Sequence, residues 1–315
     1  MTIASSLHAR MRKVSIGLFA AVLAVQLALA PGAQAQIYVA NNGNSTIGEY
    51  DSSTGAAINS SLVTGLSAVY SVAVWNNDLY ATSNAATVGL YNATTGAAIS
   101  GNFVTGQNGV LSLTVASGDL YVVNAGNGTV GVFDATTGTV INTALVSGLN
   151  QPFSVSVWAG NVYVANYGNN TIGEYNGTTG AAINSSLVTG LHGPTGVTVS
   201  NGNLYVANNS NNSGFTIGEY DATTGATINA AFITTGLSYP TDVAVANGDL
   251  YVTNNNINSI GEYNATTGAA INTALVTGLS SPYSVTVAAV PEPAAWPLLT
   301  ALFGLGLAVI RRRRG

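Results

Sequence analysis

Residues 161–202 read NVYVANYGNNTIGEYNGTTGAAINSSLVTGLHGPTGVTVSNG, and the fold follows from this stretch. With small changes it recurs along the chain, its tyrosine falling at Tyr38, Tyr80, Tyr121, Tyr163, Tyr205 and Tyr251, at spacings of 42, 41, 42, 42 and 46 residues. Each unit carries a first apolar run such as Gly196-Val197-Thr198-Val199, then a tight turn such as Asn201-Gly202, and a second run such as Leu204-Tyr205-Val206-Ala207. Asn-Gly between two alternating runs is a strong hairpin signal. An Asn-rich loop, a third run (Thr171–Tyr175), a Thr-Thr-Gly turn and a fourth run (Ala182–Asn184) complete the unit. A lone four-stranded sheet has faces that only neighbouring sheets can cover. A period in the low forties therefore predicts an all-β fold, a β-propeller with its first strands on the axis.

The first unit lacks its first strand, since the repeat opens at Gln36-Ile37-Tyr38. At the other end Tyr283-Ser284-Val285-Thr286-Val287 is a first strand with no unit after it. The C-terminal strand is expected to complete the N-terminal blade and close a six-bladed ring over residues 36–289. Outer fourth strands without lysine leave self-association through sheet edges open.

Charge is scarce and segregated. Residues 36–310 contain no Lys or Arg, and all seven basic residues lie at the ends, against twelve acids in the whole chain. Nucleic acid is excluded as a partner of the repeats, because phosphate binding needs cations to release counterions. Ion pairs within the ring are excluded too, so packing and backbone ladders must hold it. There is no cysteine, hence no disulfide or thiol chemistry.

The ends read as addresses. A basic start, an apolar run over residues 14–30 and Ala33-Gln34-Ala35 make residues 1–35 a signal peptide, with signal peptidase expected to cut after Ala35. Residues 290–315 hold Pro291-Glu292-Pro293, seventeen mostly apolar residues (294–310) and four arginines. At ~1.5 Å per residue that span reaches about 25 Å, the short limit for a transmembrane helix. The arginines would keep the C-terminus cytoplasmic and the repeats outside.

Motif, short span and basic tail resemble the PEP-CTERM sorting signal. That resemblance implies recognition of Pro291, Glu292 and Pro293 by exosortase, transient membrane anchoring, and a place in the envelope or outside the cell beside exopolysaccharide or biofilm components. The L-Y-V-A-N and Y-D-A-T-T-G elements resemble the NHL, YVTN and lactonase-like propeller repeats over residues 36–289, and such repeats serve many functions.

Alignment of the units puts Ser71, Ser112, Ser154, Gly196, Asp242 and Ser284 at the mouth of the axis, with Ala73, Thr114, Ser156, Thr198, Ala244 and Thr286 next inward. Lactonase-like relatives hold an axial cation on several carboxylate and amide oxygens. Here the ring offers only Asp242, too few charges for a hard cation, so no metal, cofactor or catalytic residue is expected. His192 is the one histidine of the repeats and sits in a loop place held elsewhere by Ser or Asn, which predicts a solvated side chain. The loops of the mouth face supply Tyr70, Phe153, Tyr239 and Tyr283, and amides including Asn42, Asn166 and Asn208. Aromatic plates among uncharged amides would suit a glycan or an extended peptide, while Asn also serves simply as a turn former. Glu49, Glu174, Glu219 and Glu262 align with Leu90 and Val132, so their stems are expected against a neighbouring blade with carboxylates reaching edge hydroxyls. The expected function is non-catalytic binding or structure in the cell envelope or matrix; the alternative is a lactonase-like or lyase-like hydrolase using the axis.

Overall fold

A computed structural model describes residues 35–84, 86–209 and 214–289; the expected signal peptide up to residue 34 and the sorting segment 290–315 lie outside them. The residues described form six four-stranded antiparallel sheets, and their innermost strands touch one another in cyclic order, closing a six-bladed propeller. Blade 4 is representative, with strands Pro152–Trp158, Asn161–Asn166, Thr171–Asn176 and Ala182–Val188 running from axis to rim. Blades 2, 3, 5 and 6 open in the same way with Val72–Trp75, Val110–Ala116, Pro194–Ser200 and Pro240–Ala246.

Blade 1 closes the ring as the sequence requires: Pro282–Ala289 pairs antiparallel with Ala35–Asn41, Val285 opposite Val39 and Ala289 opposite Ala35. The strand thus takes in Ala35, the last residue assigned to the signal peptide.

The core lies between blades. Along Asn161–Asn166, Val162 and Val164 belong to the cluster shared with blade 3, while Tyr163 and Ala165 belong to the one shared with blade 5. A strand buried on both faces reads as a continuous apolar run, and its period of two feeds alternate residues to the two neighbours. Six such clusters, one per blade interface, account for the core.

Between the third and fourth strands the Thr-Thr-Gly turn is held by an Asx residue. Asn176 Oδ1 accepts the backbone N–H of Thr178 (3.0 Å) and Thr179 (2.9 Å). Gly180 follows at φ 71°, and a Cβ there would collide with Leu145 O of blade 3, so this turn also docks neighbouring blades. The fourth strands face solvent and expose Ile58, Ile99, Ile141, Ile183, Ile228 and Ile271. Their edges carry a built-in bulge: Asn184 Oδ1 accepts Ser186 N–H at 3.1 Å, and Asn59, Asn142, Asn229 and Asn272 repeat the bond.

Candidate functional site

The innermost strands enclose an axial cavity of about 170 Å³ lined by the two rings that the alignment places there, Gly196 excepted. The innermost strand of a blade has no partner on its axial side, so its inward N–H groups need acceptors. The mouth ring supplies them from the blade before. Ser71 Oγ accepts Leu113 N–H at 3.1 Å, and Ser154 Oγ accepts Val197 N–H at 3.2 Å.

Gly196 has no side chain for this task, and a Cβ there would come within 2.7 Å of Asp242 Cα. The bond it cannot make, to Val243 N–H, is made by Asp242 Oδ1 at 2.9 Å, while Asp242 Oδ2 accepts Val285 N–H at 3.2 Å. One carboxylate thus does the work of two hydroxyls. Burial pushes its pKa up to about 6, against the downward pull of the Ser284 hydroxyl and the two N–H groups.

Above this ring stand Tyr70, Leu111, Phe153, Thr195, Thr241 and Tyr283, each one residue before its ring member. Tyr283 meets Tyr70 edge-on with centroids 5.0 Å apart and stacks on Phe153 at 6.3 Å with planes 24° apart. Phe153 belongs to blade 4, directly across the axis from Tyr283 in blade 1. The rings therefore lean together over the bore as a half-exposed aromatic plug, with Tyr167 against Phe153 at 5.4 Å on its outer side.

Tyr239 stands in the expected loop but outside this set of six. It precedes Pro240 whereas Phe153 and Tyr283 follow their prolines, so it misses the ring by two places. It stands at φ 56°, 36% exposed, beside Phe215 at 6.2 Å. The ring place in its blade belongs to Thr241, whose hydroxyl donates to Pro282 O (3.3 Å), and in blade 5 to Thr195, which donates to Pro240 O (2.9 Å). Counting back one residue from each ring member would have found both.

The amides are corrected. Asn166 and Asn208 are buried rather than displayed, as are Asn41, Asn124 and Asn254. Each ends a second strand, where its side chain turns down to the backbone: Asn208 Oδ1 accepts His192 N–H at 3.2 Å and Asn254 Oδ1 accepts Ser238 N–H at 2.9 Å. Asn42 is half-buried and donates to Val69 O at 3.0 Å. The exposed loop amides are occupied too, Asn44 and Asn169 accepting the hydroxyls of Thr46 and Thr171, both at 2.9 Å. His192 is exposed, as its loop place predicts.

The repeated glutamates are buried, but they meet the tyrosine opposite in their own blade rather than an edge hydroxyl. Glu174 Oε1 accepts from Tyr163 at 3.1 Å and from Asn161 Nδ2 at 2.8 Å, and Glu262 Oε1 accepts from Tyr251 at 3.3 Å. Antiparallel register sets each pair face to face. Burial holds Glu49, Glu219 and Glu262 above the ordinary carboxylate range.

Among the described residues no group of three or more His, Cys, Asp or Glu could hold a metal ion, and no helix is long and apolar enough to cross a membrane. Ala33, Pro291, Glu292, Pro293 and the apolar span 294–310 lie outside them.

No protein-family model matches the chain, and no curated protein matches it. Among solved structures it is similar to a chain of a crystal structure of a nidogen/laminin complex, with TM-score 0.66 and 14% identity, over 82% of this chain and 100% of that one. At that identity the likeness shows the six-bladed fold alone, and because 1206 chains of solved structures match, the architecture does not single out an activity.

Proposed function

We propose that this chain is an exported, exosortase-sorted propeller with NHL-like repeats that acts as a non-catalytic binding or structural protein of the cell envelope or extracellular matrix. The observation that carries the reading is the state of Asp242. The one carboxylate of the mouth ring has both oxygens engaged by backbone N–H groups, so it is committed to holding the innermost strands together. What the mouth presents outward is an uncharged, half-exposed aromatic cluster of Tyr70, Phe153, Tyr283 and Tyr167, chemistry suited to the apolar face of a sugar or to an extended peptide. The solved neighbour comes from a complex between proteins, which is consistent with a propeller serving as a docking module.

The address at the two ends supports export, because the repeats then face a compartment in which envelope polysaccharides and proteins are the available partners. A glycan array probed with the purified protein tests the ligand class. Signal that Tyr283→Ala removes is the expected result, and an empty array, with no signal on a peptide array either, would leave only the structural role.

A further inference from the structure

Away from the mouth, at the opposite ends of the strands, two devices seal some of the blade interfaces. In blades 2 and 4 a tryptophan ends the innermost strand and reaches the turn glycine of the next blade, Trp75 approaching Gly118 and Trp158 approaching Gly202 at 4.0 and 3.9 Å from the place of a Cβ, whereas Ser200, Ala246 and Ala288 hold that place in blades 5, 6 and 1. The tyrosine of the second strand then donates across the interface, Tyr80 to Ala135 O at 2.7 Å and Tyr205 to Ala265 O at 2.8 Å.

Between blades 3 and 4 both devices fail. Ala116 stands where Trp75 and Trp158 stand, Val132 replaces the third-strand glutamate, and Gly177 replaces Ala135 and Ala265. These three truncations meet at one interface and leave a cavity of about 480 Å³, within the range of small-molecule sites. Tyr121 lines it and is only 6% exposed, yet its hydroxyl makes no hydrogen bond to any described residue. Asp119, also in the wall, has no side-chain partner among them either.

We propose that this cleft is a binding site for one neutral, hydroxyl-rich ring, such as a single residue of a saccharide. Tyr121 supplies aromatic surface for the apolar face of such a ring. Asp119 offers two acceptor oxygens and Tyr121 a hydroxyl that can donate or accept. Asn142, whose Oδ1 is taken by Ala144 N–H at 3.0 Å, keeps its amide donors. An anion is disfavoured because residues 36–310 hold no cation to meet it. An organic cation would use the one carboxylate and leave the hydroxyl and the amide without partners.

The site is separate from the aromatic plug and stands whether or not the plug binds anything. The test is saturation-transfer NMR and calorimetry on the full-length protein with neutral hexoses, N-acetylhexosamines and their 1,4-linked dimers. At least one should bind, Tyr121→Phe should weaken it about tenfold for the lost hydrogen bond, and Ala116→Trp should abolish it. Ala116→Trp copies the side chain that fills this place in blades 2 and 4, so a melting temperature at or above wild type would show that the variant is folded and the cleft filled. Binding that survives Ala116→Trp, or that falls with Tyr283→Ala alone, would overturn the cleft and leave the mouth reading standing. Failure of every saccharide to bind the wild type would overturn it as well.

Discussion

At two places a residue lacks a side chain that sister blades supply, Gly196 on the axis and Ala116 farther out, where blades 2 and 4 have tryptophan, and the molecule treats the two differently. At Gly196 the missing acceptor is replaced from across the interface, where Asp242 takes up both its own N–H and the one left over. At Ala116 nothing supplies the bulk that Trp75 and Trp158 supply in blades 2 and 4. The bulk missing there leaves a cavity, and a buried tyrosine keeps an unused hydroxyl beside it. A departure from a repeat that is compensated by a second departure has a structural explanation. An uncompensated one is where a ligand has room, and this distinction separates Asp242 from the Tyr121 cleft more clearly than charge does.

The sharpest way to break the comparison is at the hub. Asp242→Ala should orphan Val243 N–H and Val285 N–H, costing about 2 to 5 kcal/mol at pH 4.5, read by denaturant or thermal melts. A cost below about 1 kcal/mol would mean that the carboxylate is not structural.

The next effect is its pH dependence. The folded pKa of Asp242, about 6, lies above the unfolded value, so the fold binds the proton more tightly than the unfolded chain. Its stabilising contribution is then full below about pH 4 and lost as pH rises through about 6, at most about 3 kcal/mol. The penalty of Asp242→Ala should shrink over that interval, and Asp242→Asn should lose the slope that this group contributes. A wild-type slope unchanged by Asp242→Asn would place the titration elsewhere.

At the outer interfaces, Trp75→Ala should cost about 2 to 3 kcal/mol, less than a fully buried tryptophan because Trp75 is half-buried. Ala116→Trp should instead gain about 0.5 to 2 kcal/mol, and melting shifts of opposite sign would confirm that the two places are equivalent. The smallest effect is a single oxygen. Tyr80→Phe leaves Ala135 O without its donor and should cost about 1 kcal/mol, whereas Tyr121→Phe should stay within about 0.5 kcal/mol. Equal losses at the two tyrosines would erase the distinction between the filled and the open interface.

Much of the architecture was legible in the chain. The tyrosine spacing, the orphan first strand at Tyr283–Val287 and the headless first unit fixed six blades and their closure, because strand order in a repeat array follows the order of the units. Ring membership on the axis was also readable, since a period of two tells which residues of Pro240–Ala246 point inward. The roles of polar side chains were not. Asn166 and Asn208 looked like displayed amides, yet the end of a second strand lies beneath the neighbouring loop, where both are buried and Asn208 caps the His192 N–H. Tyr239 looked like Tyr283, and only the place of the proline relative to the bulge separates them.

The sequence by itself determined what is periodic: the strands, their faces, the ring and its lack of cations, because these follow from local alternation and from counting units. Tertiary structure alone decided what becomes of the exceptions. Gly196 and Asp242 are 46 residues apart, and Ala116, Val132 and Gly177 are scattered over two blades. Whether such changes cancel or accumulate depends on which side chains the packing of neighbouring blades brings within reach, a distance that no linear spacing contains.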